Sequence, residues 1–259
     1  MRRPPIAEQT DLTEYRRFAE DIAREGGSLT RSYFRRGIEV EYKQDKSPVT
    51  RADRETEQLL RRRIAERYPE HSVAGEELGL PERRGSWTWV LDPIDGTQSF
   101  IHGIPLYTVL VALLHDDAPV VGVIHNPVLE ETVSAAVGAG CTYNGTACTI
   151  RPCESLSAAE VCTSDFISFA REAPQLHERV AGSAVFGRTW ADAYGYLLLA
   201  SGRIDAMIDP KMAIWDIAPL YPVIEEAGGR ITDLAGRRNP LGESAIAAHP
   251  TVHRALAGA

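Results

Sequence analysis

The sequence predicts a mixed α/β protein built as one unit from two packed halves, and three observations lead there. Two stretches near the start, residues 11–34 and 50–68, carry helical periodicity. Between about residues 72 and 147, short apolar runs follow one another with turn residues between them. From about residue 158 helical and strand patterns alternate instead. The first half, about residues 1–150, therefore reads as α+β and the second, about 151–259, as α/β, with no free linker between them.

With 259 residues, 44% hydrophobic and 25% charged, the chain has an ordinary globular make-up and enough length for a large core. A formal net charge of −8 argues against nucleic acid as a general partner. Arg2 and Arg3 are followed by no apolar run, so no signal peptide is expected. The longest apolar run, residues 109–114, is far too short to cross a bilayer, so no membrane is expected either. Cys141, Cys148, Cys153 and Cys162 form no Cys-x-x-Cys pair. They read as reduced, structural thiols, and the chain as cytoplasmic.

Asp11 and Glu14 open the first helix, and Leu12, Tyr15, Phe18, Ala19, Ile22 and Ala23 recur along it at helical spacing. A short strand at 40–43 precedes Asp45-Lys46-Ser47-Pro48-Val49-Thr50-Arg51-Ala52-Asp53. Thr50 is the N-cap expected for the second helix, with Asp53 in the reciprocal third position and Pro69 as the stop. Residues 72–74 form a strand ending in Gly75-Glu76-Glu77. An apolar strand over 87–91 delivers Asp92 and Asp95 into a turn stiffened by Pro93, after which Gly96 and Thr97 open a helix. Strands at 107–114, 120–124, 131–137 and 140–143 follow, the last closed by the hairpin signal Asn144-Gly145. The second half reads as a strand at 160–163, a helix over 167–180 in spite of Pro174, and a strand at 184–186. An apolar helix over 191–201, a strand at 205–208 and a helix over 215–227 come next, before strands at 231 and 245–248.

Carboxylates gather at the ends of these elements: Asp53, Glu76, Glu77, Asp92, Asp95, Asp209 and Asp216. A strand ending in paired acids beside a helix N-terminus suits divalent cations and a phosphate together. Singly, each acid also has a plainer reading, Asp53 and Asp216 as helix caps, Glu76 and Glu77 as solvated loop acids. All-oxygen ligation favours Mg2+, with Mn2+ as an alternative, and the scattered histidines give zinc no site. Gly-x-x-x-x-Gly-Lys and Gly-x-Ser-x-Gly are absent. Asp92-Pro93-Ile94-Asp95-Gly96-Thr97 approaches the Asp-x-Asp-Gly-Thr of haloacid-dehalogenase phosphatases but holds one extra residue between its acids. No aspartyl-phosphate intermediate is therefore expected.

In combination, residues 45–53, Gly75-Glu76-Glu77, Trp89-Val90-Leu91-Asp92-Pro93-Ile94-Asp95-Gly96-Thr97 and Trp215-Asp216 resemble the motifs of the inositol monophosphatase-like superfamily, in the same order. The resemblance runs from Asp45 to Gly229. It implies a layered αβαβα sandwich, an Mg2+-dependent, lithium-sensitive phosphatase acting on a small phosphate monoester, and a homodimer. Two or three ions are implied: one held by Glu76, Asp92 and the Ile94 carbonyl, a second by Asp92, Asp95 and Asp216, and a weaker third reached by Glu76. Thr97, oriented by Asp53, would position the attacking water, and the Gly96 and Thr97 amides would receive the phosphate.

By the same resemblance the substrate body lies at Trp190, Ala191, Asp192 and Asp209. Asp209 precedes Asp216 by seven residues, where inositol phosphatases place an acid for sugar hydroxyls. Asp192 is an added acid where they carry a small residue, its plainer reading being a helix cap or a partner of Arg188. Two carboxylates and an indole suit a cationic leaving group. Residues 187–196 and 207–210 also resemble the bacterial histidinol-phosphatase branch. L-histidinol phosphate, an ester of histidine biosynthesis, is therefore the expected substrate, with inositol 1-phosphate as the alternative. A bisphosphate nucleotide, for which only Lys43 and Lys46 offer a second basic group, ranks lower, as does a non-catalytic metal- or inositol-phosphate-binding regulator.

Overall fold

Asp11 caps the first helix, α1 (Leu12–Tyr33), by accepting from the Thr13 amide at 2.9 Å. A two-stranded ribbon, β1 (Val40–Tyr42) and β2 (Pro48–Thr50), leads into α2 (Arg51–Arg67). There Thr50 Oγ1 accepts from the Ala52 amide (3.1 Å) and the Thr50 amide donates to Asp53 Oδ2 (2.8 Å), the reciprocal cap expected from the sequence. This computed structural model describes residues 11–44, 46–81, 85–190 and 192–258. Asp45 and Ala191, both named above, lie outside them.

A seven-stranded sheet follows, formed by β3 (Ser72–Gly75), β4 (Trp87–Asp95), β5 (Thr108–His115), β6 (Ala118–Asn126), β7 (Glu131–Ala136), β8 (Gly140–Tyr143) and β9 (Thr146–Ala147). These strands lie in chain order, and all pair antiparallel except β3 with β4. The short helix α3 (Thr97–Ile101) leaves β4. Beyond it come β10 (Glu160–Cys162), α4 (Phe166–Glu172), α5 (Pro174–Ser183), β11 (Phe186–Arg188), α6 (Asp192–Ala200) and β12 (Ala206–Asp209). The chain ends with α7 (Ile214–Ile217), α8 (Leu220–Glu226), β13 (Arg230–Thr232), β14 (Ala245–Ala248) and α9 (Pro250–Ala257). Strands β11, β10 and β12 are parallel neighbours in a five-stranded sheet, and β14 lies antiparallel between β12 and the edge strand β13.

The alternation of side chains along each strand sorts the core into layers. On β5, Val109, Val111 and Leu113 pack with Ile22, Leu60 and Ile64 of α1 and α2. Leu110 points the other way, into a layer formed by α6 and α8 through Tyr196, Leu197, Leu220 and Val223. Met207, Ala245 and Ala247 of the second sheet close that layer from below. The outer face of the second sheet carries Val161, Ala206, Ile208 and Ile246 against Phe169, Leu176, Val180 and Val252 of α4, α5 and α9. The order is helix, sheet, helix, sheet, helix, the layered αβαβα sandwich.

Four readings of the sequence need correction. The helix expected over 167–180 is two, because Ala173 leaves helical geometry and Pro174 starts α5 as its first residue. The helix expected over 215–227 also divides, with Pro219 between α7 and α8. The strand placed at 184–186 lies at Phe186–Arg188. And β4 runs past residue 91 through the two acids to Asp95. No helix among the described residues is long and apolar enough to cross a membrane.

Candidate active site

A fault in the pairing of β4 builds the centre of the site. Asp92 pairs with Leu110 and Asp95 with Thr108, so β4 spends one residue more than β5 over this step. Residues three apart on a regular strand face opposite sides of the sheet. The extra residue, at Pro93-Ile94, reverses that parity and turns both carboxylates to one side. Parallel pairing of β3 with β4 brings the next acid alongside: the Glu76 amide donates to the Leu91 carbonyl at 3.2 Å. α7 packs on β4 and brings in Asp216, whose Oδ2 accepts from the Ala213 amide at 2.7 Å. Asp216 thus stands at the third helical position of α7 and reaches back to the amide before the helix; it is not the N-cap of its plainer reading. Asp92, Asp95 and Asp216 each place a carboxylate oxygen within 4.8 Å of the other two.

Water hardly reaches the two acids of β4, and Asp216 is partly buried beside them. Asp92 is 2% exposed and Asp95 8%. Burial raises the pKa of Asp92 well above the usual carboxylate range, and the charges of Glu76, Asp95, Asp216 and Asp53 raise it further. Burial and the charges of Asp192 and Asp216 do the same to Asp95, against hydrogen bonds from the Ala193 amide (2.8 Å) and Thr108 Oγ1 (2.9 Å). Asp216 is pushed up to about 7, chiefly by burial. Several buried acids facing one another are unstable as a set of bare anions, and a bound divalent cation removes that conflict. The donors are all oxygen, which fits a hard cation.

Around this centre the chain supplies braces and one competing cation. Glu57 of α2, fully buried, accepts from the Glu77 amide (2.7 Å), the Leu78 amide (3.2 Å) and Arg61 Nε (2.7 Å), and so holds the turn that carries Glu76. Lys43 Nζ stands 2.7 Å from Glu76 and 2.6 Å from Glu77. It is committed to those acids rather than free to bind a second phosphate. Gly96 begins the α3 turn at φ +81°, and a Cβ there would lie 2.7 Å from Asp192 Oδ2, so both conformation and space require glycine. Thr97 Oγ1 donates to the Ile94 carbonyl at 3.0 Å. Asp53 is bound to Thr50 through Oδ2, while its buried Oδ1 has no hydrogen-bond partner. The orienting bond expected between Asp53 and Thr97 is thus not formed through Oδ1.

A cavity of about 310 Å³ opens here, lined by Glu76, Asp92, Ile94, Asp95, Gly96, Thr97 and Asp216 together with Ser47, Lys211 and Trp215. Of the residues expected to meet the substrate body, Asp192 adjoins it through Gly96. Burial pushes Asp192 up to about 7, and Asp209 and Asp165 add to the effect. Asp209, 4% exposed at the end of β12, accepts from the Ser164 amide at 2.8 Å. Trp190 is 37% exposed. Sequence reasoning missed Glu57, Lys211 and the commitment of Lys43. Glu57 did leave a signal, one helical turn after Asp53 on the same face of α2.

The fold and this acidic centre define a metal-dependent phosphatase, and comparison with known proteins agrees. The chain belongs to the inositol monophosphatase family, whose family model matches residues 11–259. It is 37% identical over 252 residues to the histidinol-phosphatase of Chlorobaculum parvum, covering 96% of this chain and 97% of that protein. It is 36% identical to the histidinol-phosphatase of Mycobacterium tuberculosis over 224 residues, 83% of this chain and 85% of the relative. Among solved structures, an inositol monophosphatase from Zymomonas mobilis superposes with a TM-score of 0.85 at 30% identity, covering 96% of this chain and 98% of that one.

Proposed function

We propose that this phosphatase hydrolyses L-histidinol phosphate to L-histidinol and phosphate. The observation that carries the reading is the placement of Asp192. A partly buried carboxylate lies against Gly96, beside the phosphate-side turn, with Asp209 as a second acid whose charge it feels. Such an edge attracts the ammonium and imidazolium of histidinol and gains little from a neutral polyol. The histidinol-phosphatase relatives named above support the same choice.

In this reading Glu76, Asp92, Asp95, Asp216 and the Ile94 carbonyl hold two Mg2+ ions, with Glu76 reaching a third and Mn2+ as a substitute. When bound there, hard cations supply an activated water and neutralise the phosphoryl oxygens. The remaining work falls to the chain. The Gly96 and Thr97 amides, at the start of α3, bind the phosphate of the ester. The Thr97 hydroxyl, which now donates to the Ile94 carbonyl, turns to Asp53 Oδ1, an acceptor with no present partner, and orients the attacking water. Asp192 and Asp209 pair with the cationic groups of the leaving alcohol, and Trp190 covers its ring. Lithium inhibition and a homodimer belong to the same proposal.

Inositol 1-phosphate remains the second reading, favoured by the position of Asp209 and by the Zymomonas mobilis structure. Side-by-side assays separate the two. Histidinol phosphate is expected to show the higher kcat/KM, and Asp192→Ala to narrow the preference on the order of 10-fold, the worth of one hydrogen bond to a charged group. Equal kcat/KM on both esters in the parent enzyme would sink the assignment.

A further inference from the structure

The β8–β9 hairpin holds two thiols side by side. Asn144 and Gly145, at φ +47° and +78°, form its two-residue turn. Tyr143 opposes Thr146 and Thr142 opposes Ala147, so the next opposed pair is Cys141 and Cys148. The Cys148 amide donates to the Cys141 carbonyl at 3.0 Å, which fixes that register. Directly opposed residues point to the same face, and here the two Sγ atoms are 3.6 Å apart. Opposed antiparallel residues have Cα atoms about 4.5–5.5 Å apart, within the span of about 4.4–6.8 Å that a disulfide bridges. The opposed register therefore places the two sulfurs within reach of one bond.

The two thiols differ in the way an attacking and a resolving cysteine must. Cys141 is 3% exposed, and both its bond to Cys148 and its burial hold it protonated. Cys148 is the more exposed of the two, so its sulfur is the one an external reagent reaches first. Cys153, by contrast, has its thiol directed to the Ser155 carbonyl at 3.4 Å, and Cys162 is buried in the second sheet.

We propose that Cys141 and Cys148 form a redox modification site, which a low-molecular-weight disulfide of the glutathione class closes into an intramolecular disulfide. The Cys148 thiolate attacks one sulfur of the reagent, forming a mixed disulfide and releasing one thiolate. That thiolate takes up the proton lost by Cys141. The Cys141 sulfur then attacks the Cys148 sulfur and displaces the second thiolate, which is protonated from solvent by the proton Cys148 gave up. Two protein thiols are oxidised, one external disulfide is reduced to two thiols, and excess reduced thiol reverses the exchange. The site is independent of the substrate assignment.

The folded, full-length protein incubated with oxidised glutathione provides the test. It should lose two of its four titratable thiols, become lighter by two hydrogens, and give a Cys141–Cys148 linked peptide on mapping. Excess reduced glutathione should restore all the thiols. Cys141→Ser should stop at a stable glutathione adduct on Cys148, because the resolving sulfur is gone. Cys148→Ser should form neither adduct nor cross-link. Retention of all thiols, a lasting adduct on the parent protein, or a cross-link through Cys153 or Cys162 overturns the proposal.

Discussion

Asp216→Asn separates what one side chain does for function from what it does for the fold. The amide keeps the shape and an oxygen for the Ala213 N–H, but removes one of the buried charges that face Asp92 and Asp95. If Asp216 holds an ion, kcat/KM should fall by at least about 100-fold, the upper effect of losing even a supporting partner of a metal ligand. In chelator the same variant should be more stable than the parent, with Tm up by about 2–4 °C for each kcal/mol of repulsion relieved. A lower Tm in chelator, measured by calorimetry, would mean that Asp216 serves the fold first. At this scale the acids were legible because each sits in a short local motif. The roles of Glu57 and Lys43 were not, since their partners lie 20 and 33 positions away and meet them only through tertiary structure.

α7, which carries Asp216, ends two residues before Pro219, and that junction with α8 sits against the middle of β6. A Cβ on Gly122 would fall well inside van der Waals contact of the Pro219 carbonyl oxygen. Gly122→Ala must therefore push the α7–α8 junction away from the sheet, at about 1–3 kcal/mol for overpacking, and Mg2+ binding should weaken along with Tm. Gly182→Ala is the control: nothing lies within 4 Å of its added methyl, so stability should hold or rise slightly. Equal effects from both substitutions, in thermal melts and Mg2+ titrations, would rule out this coupling. Periodicity located almost every element, yet it read α4 with α5 and α7 with α8 as single helices. A proline in a helical pattern can kink, end or start a helix, and the surrounding packing decides which. The short α9 escaped notice for a related reason: with Pro250 at its start and eight residues in all, it has too few turns to show a period.

Across the whole molecule, the layered architecture was legible from the order of helical and strand patterns and from the family resemblance. The strand order of the second sheet was not, because β10 lies between β11 and β12, and no local signal encodes such neighbours. Only the assembled molecule shows how much acid it buries in one place, and this gives a pH dependence with a definite sign. Glu77, Asp192 and Asp216 are each pushed up to about 7, with burial as the leading cause, and Asp92 and Asp95 are raised as well. The folded protein therefore holds protons that the unfolded chain, with ordinary carboxylates near 4, has already released. Stability that depends on those protons is present at low pH and is lost as pH rises through the folded values. His125 and His253, buried and lowered to about 4, act in the opposite sense, but only below the ordinary histidine value of about 6.5. Above about pH 6.5 these two histidines no longer contribute, and the raised carboxylates set the falling slope up to about pH 8. In chelator, Tm should fall across that window. Mg2+ competes with the same protons, so the Tm gained on adding it should be larger at pH 8 than at pH 6.5. A Tm in chelator that stays level or climbs, or an Mg2+ increment that shrinks with rising pH, would show that these carboxylates are not what binds the ion.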